Sequence, residues 1–254
     1  MKMISTKKER YDALVSKVKE SYDPYTCTEE VGELHLYWCE DCQEINLWTY
    51  WQGRGNLDAE IMLVGQDWGS PWDDSAKSTM EQIELANLGK SYDYLNNNPS
   101  ITDKRLITLF DEIGFNVRYS CEGVFFTNFV LGYRNKGLSG GFQNAWVDHD
   151  KIYFRELANI IKPKVILCLA RSTFKGVLSA FDVKLKPVIG NYNQFIESER
   201  NPISVKLENG QIAYVFALAH CGALGTLNRN RGKDKSDDIL AIQKQDWKRI
   251  IPYL

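Results

Sequence analysis

The sequence predicts an α/β protein: a three-layer α/β/α sandwich around a mainly parallel four-stranded sheet. Three observations carry that reading. Four short, largely apolar runs, at residues 61–64, 124–131, 165–169 and 213–218, lack helical spacing, the pattern of strands buried on both faces. Between them lie stretches whose apolar side chains recur every three or four residues, as in helices that pack through one stripe. Strands alternating with helices in this way build a parallel sheet covered on both sides.

Composition narrows the class. At 254 residues, with 44% hydrophobic and 25% charged residues, the chain is long enough for one large or two small globular domains. A net charge of -2 argues against a broadly basic nucleic-acid coat and leaves room for a local basic patch. No segment approaches the roughly 20 apolar residues of a membrane span. The start, MKMISTKKER, lacks the apolar core of a secretory signal. The expectation is a cytoplasmic protein with no membrane partner, whose six cysteines are reduced thiols or metal ligands.

Each element follows in order. Residues 5–21 alternate lysine and glutamate with Tyr11, Leu14, Val15 and Val18, which predicts an amphipathic helix broken at Asp23-Pro24. Residues 24–56 read as irregular and aromatic-rich, and hold Cys27, His35, Cys39 and Cys42. The first strand, Ile61 to Val64, is stopped by Gly65 and runs into the turn Gln66-Asp67-Trp68-Gly69. A polar stretch at 70–100 contains a helical piece near 78–89 and a loop at Asn96-Asn97-Asn98-Pro99. Asp103 is placed to cap a helix whose stripe is Leu106, Ile107, Phe110 and Ile113, with Gly114 at its C-terminal cap.

The second strand carries Asn128. Residues 135–147, with three glycines, read as a loop, and 148–161 as a helix packing through Tyr153, Leu157, Ile160 and Ile161. Pro163 ends that helix before the third strand, and another helix follows at about 172–181. Residues 184–210 read as loops and a weak hairpin. The fourth strand runs into Ala219-His220-Cys221-Gly222, and Ser236 is placed to cap a final helix ending near Ile250. The resulting division is an N-terminal helix and cysteine-containing extension at 1–56 and an α/β/α domain at 57–254, without repeats.

Three strands put polar groups near their carboxyl ends: Gln66 and Asp67, Asn128, and His220. A parallel sheet brings those ends to one edge, where ligands bind. A carboxylate, an amide and an imidazole there suit hydrolysis of a bond whose leaving group departs as an anion. The carboxylate holds a water and opposes a developing cation, while the imidazole donates to the departing charge. The amide of Asn128, with one donor and one acceptor side, can read the edge of a planar base.

On these residues the chain resembles the uracil-DNA glycosylase superfamily. Gly65-Gln66-Asp67 is followed by an aromatic, and the fourth strand ends in a histidine. Gly53-x-Gly55-Asn56-x-Asp58-Ala59-x-Ile61-Met62-Leu63-Val64-Gly65 resembles the lead-in of the iron–sulfur members. So do Thr127-Asn128-Phe129-Val130 and Lys162-Pro163-Lys164-Val165-Ile166, and the likeness spans about residues 39–232. The resemblance implies a three-layer α/β/α domain that flips a nucleotide out of DNA and cuts its N-glycosidic bond without a redox cofactor. It implies that Asp67 activates water, that Gln66 helps bind the base through its backbone, that Asn128 reads the pyrimidine edge, and that His220 stabilises the leaving base. Residues 222–227 lie where the family carries its wedge loop, so Leu224 or Leu227 is the candidate filler of the hole left by a flipped base. Arg229, Arg231, Lys233 and Lys235 follow as candidate phosphate contacts.

The departures bear on substrate. Where the family has Pro-Tyr-His after the aspartate, this chain has Trp68-Gly69-Ser70, and where it has Pro-Ser after the histidine, Cys221-Gly222. Trp68 is bulky enough to stack on a base or to close the pocket to thymine-sized ligands. Trp72, Phe125 and Phe142 all qualify as the base-stacking aromatic. The expected substrate is therefore uracil or a related lesion such as a modified cytosine, with a non-catalytic DNA or nucleobase binder and a nucleoside hydrolase as alternatives. A monomer acting on DNA is expected.

Cys39-x-x-Cys42 matches the first pair of cluster ligands in the iron–sulfur members, but Tyr133 and Tyr153 stand where the third and fourth cysteines belong. A cubane cluster takes four thiolates, so no iron–sulfur cluster and no required cofactor are expected. Cys27, Cys39 and Cys42, with His35, form a candidate structural zinc set. The alternative is reduced, partly buried thiols.

Overall fold

The computed structural model describes residues 6–24, 34, 36–38, 57–67, 100–117, 123–134, 143–184, 191–234 and 236–254. In chain order these hold helix α1 (Lys7–Ser21), strands β1 (Asp23–Pro24), β2 (Leu36–Trp38) and β3 (Ile61–Gly65), and helix α2 (Ile101–Asp111). Strands β4 (Val124–Asn128) and β5 (Tyr133–Arg134), helix α3 (Asn144–Ile161), strand β6 (Val165–Leu169), and helices α4 (Arg171–Ala180) and α5 (Tyr192–Glu197) follow. Strands β7 (Ile203–Lys206) and β8 (Ile212–Leu218), helices α6 (Ala223–Asn230) and α7 (Ala241–Lys248), and a 3-10 turn (Ile251–Tyr253) complete the order.

The central sheet has five strands, not the four expected, in the order β4-β3-β6-β8-β7. The first four are parallel, and β7 pairs antiparallel with β8 at the edge. Strand β7 lacks the continuous apolar run of the other four strands, and only Val205 of its four residues is buried. Gly210, at φ +87°, lies in the turn of this hairpin. A small second sheet, β1-β2-β5, was not anticipated.

Alternation along the parallel strands splits their side chains between two cores. Ile61, Leu63, Val124, Phe126, Leu167, Phe216 and Leu218 point to one face, where α2 and α7 cover them with Leu106, Phe110 and Trp247. Met62, Val64, Phe125, Ile166, Cys168 and Val215 point to the other, under Leu14 of α1, Phe154 of α3, Phe174 of α4 and Phe195 of α5. Helix α1 of the 1–56 extension therefore shares a core with the sheet, and Tyr11 stands edge-on to Phe125 at 6.3 Å. Phe125 is thus a core residue, removed from the base-stacking candidates.

Several helix ends differ from expectation. The cap of α2 is Ser100, whose hydroxyl accepts from the Asp103 N–H. Asp103 supplies the reciprocal half of the box by accepting from the Ser100 N–H. Gly114 closes the helix as expected. At φ +83° it lets the N–H of Phe115 reach the Phe110 carbonyl and its own N–H reach that of Asp111. Helix α3 starts at Asn144, inside the expected loop. Ser236 caps only a local turn through the Asp238 N–H, and α7 starts at Ala241. The expected helical piece at 78–89 and the loop at 96–99 lie outside the described residues.

The connections place a binding edge. From β3 the chain passes through α2 on one face to β4, then through α3 on the opposite face back across β3 to β6. Strand order reverses at β3, and the crevice beyond the carboxyl end of such a strand is where open α/β sheets bind ligands. No helix among the described residues is long and apolar enough to cross a membrane.

Candidate active site

Register brings the expected groups to that edge. Gly65 lies level with Asn128, Val64 with Cys168, and Leu169 with Leu218. Gln66 and Asp67 leave β3, Asn128 ends β4, and His220 lies two residues past β8. Only β6 separates β3 from β8. At the usual strand spacing the two elements bearing Asp67 and His220 stand about 10 Å apart.

Asp67 is gripped by a residue the sequence reading did not single out. Arg134 Nε donates to Oδ1 and Nη2 to Oδ2, both at 2.8 Å, a fork across the carboxylate. The guanidinium lies 4.6 Å from the centre of the Trp146 ring, and both charged side chains are nearly buried. Gln66 Nε2 donates to Asp67 Oδ2 at 2.8 Å, and its Oε1 accepts from the Ser172 hydroxyl at 3.1 Å. The backbone carbonyl of Gln66 accepts from the Val130 N–H at 3.0 Å. Ser172 is reached through Ala170, which turns from β6 into α4 at φ +92°, a strained value for a residue with a Cβ.

The segment carrying Arg134 has its own anchor. Asp150, fully buried on α3, accepts from the Leu131 N–H at 2.9 Å and from the Tyr22 hydroxyl, and lies 2.8 Å from His149 Nδ1. The hydrogen bond to Asp150 raises the pKa of His149, and burial raises that of Tyr22.

His220 sits in a tightly held loop. Its Nδ1 accepts from the Gly222 N–H at 2.9 Å, so the proton of the neutral ring resides on Nε2. Burial lowers its pKa and favours that neutral form. Arg105 Nη1 holds the Cys221 carbonyl at 3.1 Å and Gln243 Nε2 the Ala219 carbonyl at 3.3 Å. A Cβ on Gly225 would stand 2.1 Å from the His220 carbonyl oxygen, so α6 approaches this loop only because that position is glycine. Burial pushes the Cys221 thiol up to about 12, which keeps it protonated and removes it as a nucleophile.

Asn128 is 1% exposed, and neither its Nδ2 nor its Oδ1 has a hydrogen-bond partner among the described residues. Asn201 is buried in the same way but fully engaged. It donates to the carbonyls of Ile196 and Ala217 and accepts from the Ala217 N–H. Strand alternation puts Asn128 on the same face as Phe126, the face from which Thr102 approaches the loop of His220. Gly65, level with Asn128 on the neighbouring strand, projects no side chain there.

The basic and apolar candidates separate. Leu224 and Leu227 are 76% and 61% exposed, but they stand three residues apart on helix α6 rather than on a loop. Arg229 is buried, with Nε and Nη2 on the two oxygens of Asp246 and Nη1 on Glu197, so it is a structural ion pair and not a phosphate contact. Arg231 is exposed just past the helix. Lys233 pairs with Glu197. Trp68, Cys27, Cys39 and Cys42 lie outside the described residues, as do His35 and Lys235. Among the described residues no group of His, Cys, Asp and Glu could hold a metal ion.

A cavity of about 640 Å³ opens beside this edge, lined by Asn144, Ala170, Arg171, Ser172 and Lys175 among others. It meets the site through Ser172 and includes neither Asp67 nor His220. The chain matches no protein-family model and no curated protein.

Proposed function

We propose that this protein is a DNA glycosylase of the uracil-DNA glycosylase kind, hydrolysing the N-glycosidic bond of uracil, or of a related damaged or modified pyrimidine, flipped out of DNA. The observation that carries this reading is the side chain of Asn128. A buried amide with an open donor and an open acceptor costs about 1–3 kcal/mol of desolvation for each group left unmade. It is tolerated where a ligand completes it. The edge of uracil offers a matching N–H and carbonyl side by side.

In this reading water adds to C1′ of the sugar and the C1′–N1 bond breaks with its electron pair going to the base. Asp67 holds the water and opposes the positive charge that builds on the sugar, and the water's proton passes by way of its carboxylate to solvent. His220 donates from Nε2 to the departing base, which leaves as an anion and takes its proton from solvent afterwards. The spacing of about 10 Å between the two supporting elements admits a planar ring. In this reading the exposed Leu224 and Leu227 fill the vacated stack and the exposed Arg231 meets phosphate. Tyr133 and Tyr153, at the two positions where the iron–sulfur members carry cysteine, end an aromatic array that runs through Trp38, Tyr22 and His149.

The test is incubation with oligonucleotides carrying uracil, hypoxanthine or modified cytosines, followed by alkaline cleavage of abasic sites. Abasic product from at least one of them, lost in Asp67→Asn and in His220→Ala, supports the reading. No product from any of them contradicts it. The Arg134 fork on Asp67 favours a second reading, a non-catalytic binder whose carboxylate is already neutralised. Retained, lesion-specific DNA binding without base release identifies that case.

A further inference from the structure

We infer that Arg134 is the positioning residue for Asp67: it sets the plane in which the carboxylate presents itself to the attacking water. The inference rests on the glycosylase reading and goes beyond it, because that reading asks only for an aspartate at position 67. Asp67 lies past the end of β3, where no strand hydrogen bond orients its side chain. A planar fork engages both its oxygens, with Nε on one and Nη2 on the other, beside the single bond that Gln66 Nε2 gives to Oδ2. Two parallel bonds fix rotation of the carboxyl group in a way that a single bond cannot.

The fork is itself held by four restraints. Trp146 of α3 lies against the guanidinium, and its indole N–H donates to the Leu34 carbonyl, which fixes the ring. Strand β5 pairs with β2, with Leu36 level with Arg134. Three residues before Arg134, the Leu131 N–H is tied to the buried carboxylate of Asp150. Gly132 lies so close to Tyr22 that a Cβ would meet that ring at 2.5 Å, which fixes the path of the chain between the two. Tyr22 just past helix α1, helix α3 and the small sheet thus converge on the placement of one guanidinium. A lysine there would bring charge but no fork.

The experiment measures single-turnover base release from a uracil oligonucleotide by the wild type, Arg134→Ala and Arg134→Lys, beside affinity for an abasic-site duplex. Each rate is repeated with dilute guanidinium chloride and with urea at the same concentration. Arg134→Ala is expected to lose about 100-fold in rate with affinity little changed, and guanidinium but not urea to return about tenfold. Arg134→Lys is expected to stay slow, since it keeps the charge without the geometry. Should Arg134→Ala fail to fold, Arg134→Lys decides alone: slow release at unchanged affinity supports the role, and wild-type release overturns it. Wild-type or faster release by folded Arg134→Ala, or a slow rate that guanidinium leaves unmoved, also overturns it. A wild type that releases no base overturns the glycosylase reading, and this role falls with it.

Discussion

The backbone N–H of Gly222 donates to Nδ1 of His220 at 2.9 Å, which leaves Nε2 of the partly buried ring to carry the proton. A neutral imidazole donates a hydrogen bond but gives up no proton. The base must then depart as an anion, and its own acidity becomes part of the barrier. Base release is expected to be faster for 5-fluorouracil, whose anion is the more stable, than for uracil. It is also expected to stay flat as pH falls through about 6.5, because burial holds His220 below its ordinary value. A single-turnover pH–rate series on both bases checks this. A rate that climbs as pH drops through that value would show an imidazolium acid instead.

The two described histidines set opposite limbs of the stability curve. His220 titrates in the fold below the unfolded value of about 6.5, so its contribution is lost as pH falls from there. His149 titrates above that value, chiefly through its hydrogen bond to Asp150, so its contribution is full below about 6.5 and lost as pH rises through its folded pKa. From these two groups stability peaks near pH 6.5. His149→Gln should flatten the upper limb and leave the lower one in place. Denaturant unfolding at a series of pH values measures both, and an upper limb unchanged in the variant would refute the assignment.

Asn128→Leu separates a ligand-binding amide from a structural one. Removing two buried, unpartnered polar atoms should stabilise the protein by about 1–3 kcal/mol. For a chain of this length each kcal/mol raises Tm by roughly 2–4 °C. The same change should cost about 100-fold in base release. Calorimetry and the base-release assay together decide it. A lower Tm would mean that the amide has a structural partner.

Arg229 and Arg231, two residues apart, should behave as opposites. Arg229→Met strands the carboxylate of Asp246 and should destabilise by about 3–5 kcal/mol. Arg231→Ala should leave stability within about 0.5 kcal/mol. It should weaken DNA binding and lower the slope of log affinity against log salt by about 1. Salt titrations of DNA affinity and urea midpoints report both. A stable Arg229→Met with weakened DNA binding would reverse the assignment.

The strands with both faces covered were legible because short, continuous apolar runs bounded by turn residues suit a strand buried on both sides, and so was the shared sheet edge at which the strands leading to Asp67, Asn128 and His220 end. Strand β7 was legible only as part of the loops and weak hairpin expected at 184–210, since three of its four residues are not buried and no continuous apolar run marks it. Helix α6 was expected as a loop because residues 222–227 lie where the resembled family carries its wedge loop; Gly222 caps the helix and Gly225 lies within it. Gly225 is there for its close approach to the His220 carbonyl, a tertiary contact that no local pattern announces. Arg134 was invisible for the same reason. Its partner stands 67 positions away, and the short strand that carries it takes shape only by pairing with β2. Arg229 looked like a phosphate contact because its neighbours are basic, while Asp246, which neutralises it, comes from α7.

A crystal structure of the Asp67→Asn protein with a duplex containing one uracil tests the central claim most directly. The account places the extruded base against Asn128, with Nδ2 and Oδ1 both within hydrogen-bond distance of its edge and His220 Nε2 on the carbonyl beside N1. A uracil left stacked in the duplex, or bound elsewhere with the Asn128 amide still unpaired, would contradict it.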